Sequence, residues 1–282
     1  MHYHPRKGYI LIEILIAMSI GILLMTLLME MYLASHESST LETALSTIQQ
    51  NARSFTAILT REIHAAGNIG CARLTQDFPI ISLPNYPYTA ANKITSTASN
   101  QITIRHADYP AATLAEEMKD HVRIYLSNNI AFKPGDILLI SNCERAEMFK
   151  VQTVRKINGL LEITSTAALH DRYEKYAEVS RFSINQFYLA KTGRHYSDGS
   201  AIYALFIEDI HHRKSELVAG IQQMQIKYTI QNAEGSPSAI TDWAAVSGVA
   251  MNIELHAPPL KKIWHVYAAL HYQRTQKNQG TP

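Results

Sequence analysis

Residues 6–24 read RKGYILIEILIAMSIGILL. The apolar run that begins at Tyr9 continues to Leu33, interrupted by the carboxylates of Glu13 and Glu30. About twenty helical residues at roughly 1.5 Å each cross a hydrocarbon core, so Ile10–Met29 is long enough to span a bilayer. Arg6 and Lys7 precede the run and predict a cytoplasmic N-terminus with the remaining chain across the membrane. A cleavable secretory signal would have a shorter apolar core ending in small residues. ASHESST at 34–40 is a weak match to that, which predicts a retained span. Glu13 is the anomaly. An ionisable side chain inside a span costs about 3 kcal/mol on insertion scales and marks function.

The helical pattern continues beyond the span. No proline or glycine occurs from His36 to Ala66, and apolar residues recur at Leu41, Leu45, Ile48, Ala52, Phe55, Leu59, Ile63 and Ala66. Steps of three and four place them on one helical face, opposite Glu42, Thr43, Gln50, Arg53 and Arg61. AAGNIG at 65–70 supplies stop chemistry at the C-terminus. Span and stripe together predict one helix of nearly sixty residues, on the order of 85 Å long. A coiled coil would need the apolar repeat to last longer, so packing on a globular head is expected instead.

From Gly70 the period changes to two. Strands are expected at 100–106, 122–126, 136–141, 146–154, 160–165, 181–190, 200–207, 224–231, 249–256 and 264–272. Turn signals KPGD, INGL, KTGRHYSDGS and AEGSPS separate several of them. Strand after strand with short connections predicts an antiparallel sheet rather than βαβ units. FPIISLPNYPYTAAN, with three prolines, reads as an ordered connector, and QRTQKNQGTP as a polar end. The expected class is α+β, with a long N-terminal transmembrane and amphipathic helix packed on an antiparallel head.

Composition narrows the chemistry. A net charge of +2 over 282 residues with scattered basic groups gives no electrostatic case for nucleic acid. Cys71 and Cys143 are the two cysteines, with no CxxC, which argues against a structural zinc site or a thioredoxin-like motif. Thirteen histidines show no HExxH spacing, and in a strand the neighbours His211 and His212 would point to opposite faces. HYSDGS gathers His195, Asp198 and Ser200, but without GxSxG it reads as a hairpin tip rather than a triad. No phosphate-binding loop occurs. No catalytic residue, metal ligand or cofactor is expected, and the chain is not read as an enzyme.

Lys7, Gly8, the aromatic Tyr9 and Glu13, followed by a long apolar helix, resemble the N-terminus of type IV pilins; the family usually has phenylalanine where Tyr9 stands. LSTIQQNARSFTAILTREIHAAGNIGC (45–71), ILLISNCERAEMFKV (137–151), LVAGIQQMQIKYTIQ (217–231) and ITDWAAVSGVAMNIEL (240–255) are similar to segments of PilW-type minor pilins. HVYAALHYQR departs from the arginine-rich ending common there. The resemblance implies a leader at 1–8 cut between Gly8 and Tyr9 by a prepilin peptidase, which methylates the new amine. It implies a transmembrane half at 9–33, an amphipathic periplasmic half at 34–67 and a β-rich head at 68–282. It implies a single-pass inner-membrane precursor that moves to the pilus tip, with other minor pilins, the major pilin and a tip adhesin as partners. Glu13 would pair with an α-amine and set the register of assembly. In an oxidising periplasm Cys71 and Cys143 would form a disulfide, with two buried thiols as the alternative. A minor pseudopilin of type II secretion would share this N-terminus, and a membrane-anchored periplasmic binding protein or enzyme is the reading from a different class.

Overall fold

The computed structural model describes residues 10–127, 130–230 and 233–270. One helix, α1 (Ile10–Ala65), runs unbroken for 56 residues, or about 84 Å. From Leu11 to Thr43 every residue is exposed. Burial begins at Ala44 and continues through Ile48, Ala52, Phe55, Leu59, Ile63 and Ala66. The expected stripe therefore starts late: Leu41 lies below the first contact with the head and is exposed, and Leu45, beside the buried Ala44, is only half-buried. Burying each large side chain of this stripe contributes about 1.5–3 kcal/mol.

The helix stops where its carbonyls find other donors. Gly67 has φ +74° and donates its N–H to the Arg105 carbonyl at 3.0 Å. The Arg73 guanidinium reaches back to the carbonyls of His64 (2.7 Å) and Ala66 (3.3 Å). A cation on the last carbonyls also suits the negative end of the helix dipole.

The first strands of the head are β1 (Ile80–Ile81), β2 (Ile94–Thr95), β3 (Gln101–Ala107), β4 (Ala112–Thr113) and β5 (Arg123–Leu126). Then come β6 (Ile137–Ser141), β7 (Ala146–Ile157), β8 (Leu160–Ser165), β9 (Glu178–His195) and β10 (Ala201–Glu208). The last are β11 (Lys214–Ala219), β12 (Ile221–Ile230), β13 (Ala233–Gly235), β14 (Gly248–Ala257) and β15 (Leu260–Ala269). They form two sheets rather than one. The larger follows the order β11-β10-β9-β6-β7-β8-β5, with β1 on β7, β2 on β3, and β3 and β4 on β9; the smaller is β13-β12-β14-β15. Pairing is antiparallel as expected, except that the two-residue β1 runs parallel to β7.

β9 is the spine of the larger sheet. It pairs with β6 at Glu178–Arg181, with β3 at Phe182–Tyr188 and with β10 from Gln186 to His195. Lys191–His195, expected within a turn, is thus strand, and Asp198 closes the tip by accepting from the Ser200 N–H and hydroxyl. Ala233–Gly235, also expected as turn, pairs with β12. Asn158 and Gly159, both at positive φ, make the two-residue β7–β8 hairpin that INGL signalled.

Three cores follow from this topology. The first joins the helix stripe to the smaller sheet and to Ile102, Ile104, Phe187, Leu205 and Val218 of the larger. The second is drawn wholly from residues 112–179. The third surrounds the base of the helix at Ile69, Leu74, Tyr88 and Phe182. β6 is buried on both faces: Leu138 and Ile140 enter the second core, Ile137 and Leu139 the third.

Cys71 and Cys143 lie at disulfide-bonding distance, with Cα atoms 5.3 Å apart and a sequence separation of 72. Next to Cys71, Gly70 has φ +95°, and a Cβ there would meet the Glu178 carboxylate at 2.6 Å, so this approach requires glycine. Closing a loop of this length stabilises the fold by about 4 kcal/mol in the chain-entropy model. Replacing both cysteines by serine is expected to lower the denaturation midpoint of the detergent-solubilised chain accordingly. Quantitative thiol labelling of both cysteines in the unreduced wild type would remove the bond.

Candidate functional site

The site suggested by the sequence lies at the start of the helix. Arg6, Lys7, Gly8 and Tyr9 lie outside the described residues. Glu13 stands in the first turn of α1 as described, where a carboxylate suits the positive end of the helix dipole. It is exposed on a surface shared with Ile12, Ile16, Ala17 and Ile20. No Lys or Arg occurs between Lys7 and Arg53. A cation for Glu13 must therefore come from the segment before Ile10 or from another molecule.

Among the described residues α1 is the one helix long and apolar enough to cross a membrane, and its apolar window is entirely unburied by the head. The protein thus presents a bare apolar helix bearing one carboxylate near its start. That arrangement can insert in lipid and hold a cationic partner. It offers no nucleophile–base pair.

A second polar constellation sits where the helix meets the head. Glu62 interrupts the apolar stripe and is nevertheless buried. Its carboxylate accepts from Asn185 Nδ2 of β9 at 2.8 Å, and lies 3.3 Å from His106 Nε2 of β3 and from Arg61 Nη2. The other imidazole nitrogen of His106 is 3.4 Å from Asp108 Oδ1. Burial alone would raise the Glu62 pKa, but hydrogen bonds from His106 and Asn185 and the charges of His106 and Arg61 hold it below its ordinary value. Burial would lower His106, while the Glu62 hydrogen bond and the Glu62 and Asp108 charges carry it above its ordinary value. The constellation therefore favours the ion pair. The stripe from Leu59 to Ile63 passes over Glu62, and that one misplaced carboxylate was the signal available in the sequence. His106 and Asn185 had none, since strand periodicity assigns a face but not a partner on the helix.

The remaining candidates disperse. Ser200 and Asp198 bond each other within a hairpin tip. His211 and His212 fall in a turn rather than a strand, and His212 lies 2.8 Å from Glu208. Among the described residues no group of three or more His, Cys, Asp or Glu could hold a metal ion. No family model, curated protein or solved structure matches the chain.

The ion pair has a defined pH window. A raised His106 contributes stability that is full below the ordinary imidazole value of 6.5 and lost as pH rises through its folded pKa. A lowered Glu62 contributes stability that is full above 4.5 and lost as pH falls through its folded pKa. Both contributions are complete between those ordinary values. His106→Gln is expected to cost about 1–3 kcal/mol there, and less as pH rises past the folded His106 pKa. Thermal midpoints of both proteins from pH 4 to 9 check this; parallel curves would remove the linkage.

Proposed function

We propose that the chain is the precursor of a minor pilin of the PilW type, which primes type IV pilus assembly with other minor pilins and stays at the tip. The observation that carries the reading is Glu13 on a bare apolar helix, four residues after the Tyr9 of the Lys7-Gly8-Tyr9 motif, with no Lys or Arg between Lys7 and Arg53. The continuous helix and its attachment to a β-rich head only from Ala44 onward support it.

The physical logic runs from the cut to the filament. Glycine at position 8 lets a peptidase hold the backbone closely, since no side chain intervenes. Cleavage there creates a positive amine on Tyr9, four residues before Glu13 in sequence, the spacing of about one helical turn. In lipid an unpaired carboxylate is penalised, whereas one paired with an amine is tolerated. The amine of a neighbouring subunit satisfies Glu13 at one axial offset and leaves it unpaired at others. Register is then set by the cost of mispairing. A head packed only on the upper helix leaves the lower helix free to exchange lipid for neighbouring helices.

Co-expression with a prepilin peptidase, followed by mass spectrometry, is expected to show loss of residues 1–8 and a methylated Tyr9. An intact start, or a cut near Ser35, would overturn the reading. Glu13→Ala is expected to insert and be cleaved but to join the minor-pilin complex at about a tenth of the wild-type level or less. In a deletion strain, lost pili with intact type II secretion favours the pilus, and the reverse favours the pseudopilin.

A further inference from the structure

The bare helix has two further features between the membrane and the head. Glu30 and Glu37 precede the buried Ile48 by eighteen and eleven residues, which at about 100° per residue returns both to within roughly 20° of its direction. The face that packs on the head thus continues downward as an exposed stripe bearing two carboxylates. Beside it, His36, Thr40, Thr43 and Thr47 of the helix and Tyr196, Ser197 and Pro258 of the head are among the residues that line an open notch of about 420 Å³.

The threonines set the polarity of that notch. Thr40, Thr43 and Thr47 each donate their hydroxyl proton to the carbonyl four residues earlier, at 2.9, 2.8 and 2.9 Å. What they present outward is oxygen lone pairs. Lys and Arg side chains carry donors and no acceptors, so they fit such a surface. Carboxylates on the adjoining stripe fit the same groups by charge.

The lower helix of a second copy does not supply them. Two parallel helices offset by one turn, about 6 Å, would place glutamates near glutamates, because the first Lys or Arg after Lys7 is Arg53. Arg53 lies sixteen residues beyond Glu37, so an offset below about 24 Å brings no Lys or Arg of the second helix to the stripe. We propose that the notch and stripe receive a Lys- or Arg-bearing helix of a different chain, and that they exclude self-pairing. This rests on the reading of the protein as an assembling subunit, and it names the chemistry of the neighbour.

The test uses the full chain and a charge-reversed copy, Glu30→Lys/Glu37→Lys, as the probe. The two are co-expressed with different tags, together with a prepilin peptidase, in the membrane of a host without pili, with a photo-crosslinking residue at position 38. Wild type with the reversed copy is expected to cross-link at least about fivefold more than wild type with wild type or reversed with reversed. Thr43→Val/Thr47→Val in the wild-type partner, which keeps the shape and removes the oxygens, is expected to halve that yield. Equal cross-linking in all three combinations, from copies whose heads resist protease alike, would overturn the proposal. Processing at Tyr9 is read separately. A cleaved, methylated chain without the preference overturns the docking alone, and an uncleaved chain with it overturns the pilin reading alone.

Discussion

At Glu62 the helix turns a carboxylate into its own buried face, and the head is arranged around it. A buried charge is tolerated only where hydrogen bonds and a counter-charge replace water. Here Asn185 comes from β9 and His106 from β3, adjacent strands of the larger sheet. An apolar stripe alone fixes which face of a helix is buried but tolerates sliding along the axis. A carboxylate that finds its donors at one height does not slide. The height of the head along the helix is therefore pinned by this contact together with the Arg73 cap.

The same helix has two unlike parts. Its first part has apolar side chains all around and touches nothing in the head; its last part has a single apolar stripe that is buried. Between them, from Ala34 to Thr43, lies a polar exposed stretch rich in serine and threonine that belongs to neither. Three of those hydroxyl side chains, Ser35, Ser38 and Ser39, and the back-bonded Thr40 and Thr43 are residue types with modest helix propensity. The helix here is sustained by continuity with its ends rather than by local packing.

Much of this was legible in the residues. The steps from Ile48 to Ala66 identified the buried face, and ten of the fifteen strands announced themselves by alternation. The strands that did not are short or poorly patterned: β11 buries fully only Val218 among Lys214–Ala219, and β1, β2 and β4 have two residues each. KTGRH was read as turn because its glycine and charges suggest one, yet pairing to β10 holds it as strand until His195. Division into two sheets left no mark in periodicity, since alternation shows two faces and not which strand lies beside which. The second core had a trace that goes unread without contacts: β6 is apolar at Ile137, Leu138, Leu139 and Ile140 because both of its faces are covered. Glu13 was conspicuous by its surroundings, whereas Glu62 hid among amphipathic neighbours where a charge is ordinary.

The self-contained core of residues 112–179 has a mechanical meaning. Tension along the helix enters the head through the first core and the Glu62 contact, which join it to β3, β9, β14 and β15. The 112–179 lobe lies off that line of force, attached through β6 and β9 and through Cys143 to Cys71 at the helix base. Load reaches this lobe by shear across strand pairs and through the packing of β6 on the helix base, and the sulfur pair caps how far the two can separate. The lobe can therefore keep its packing, and whatever surface it presents, while the helix beside it is under strain.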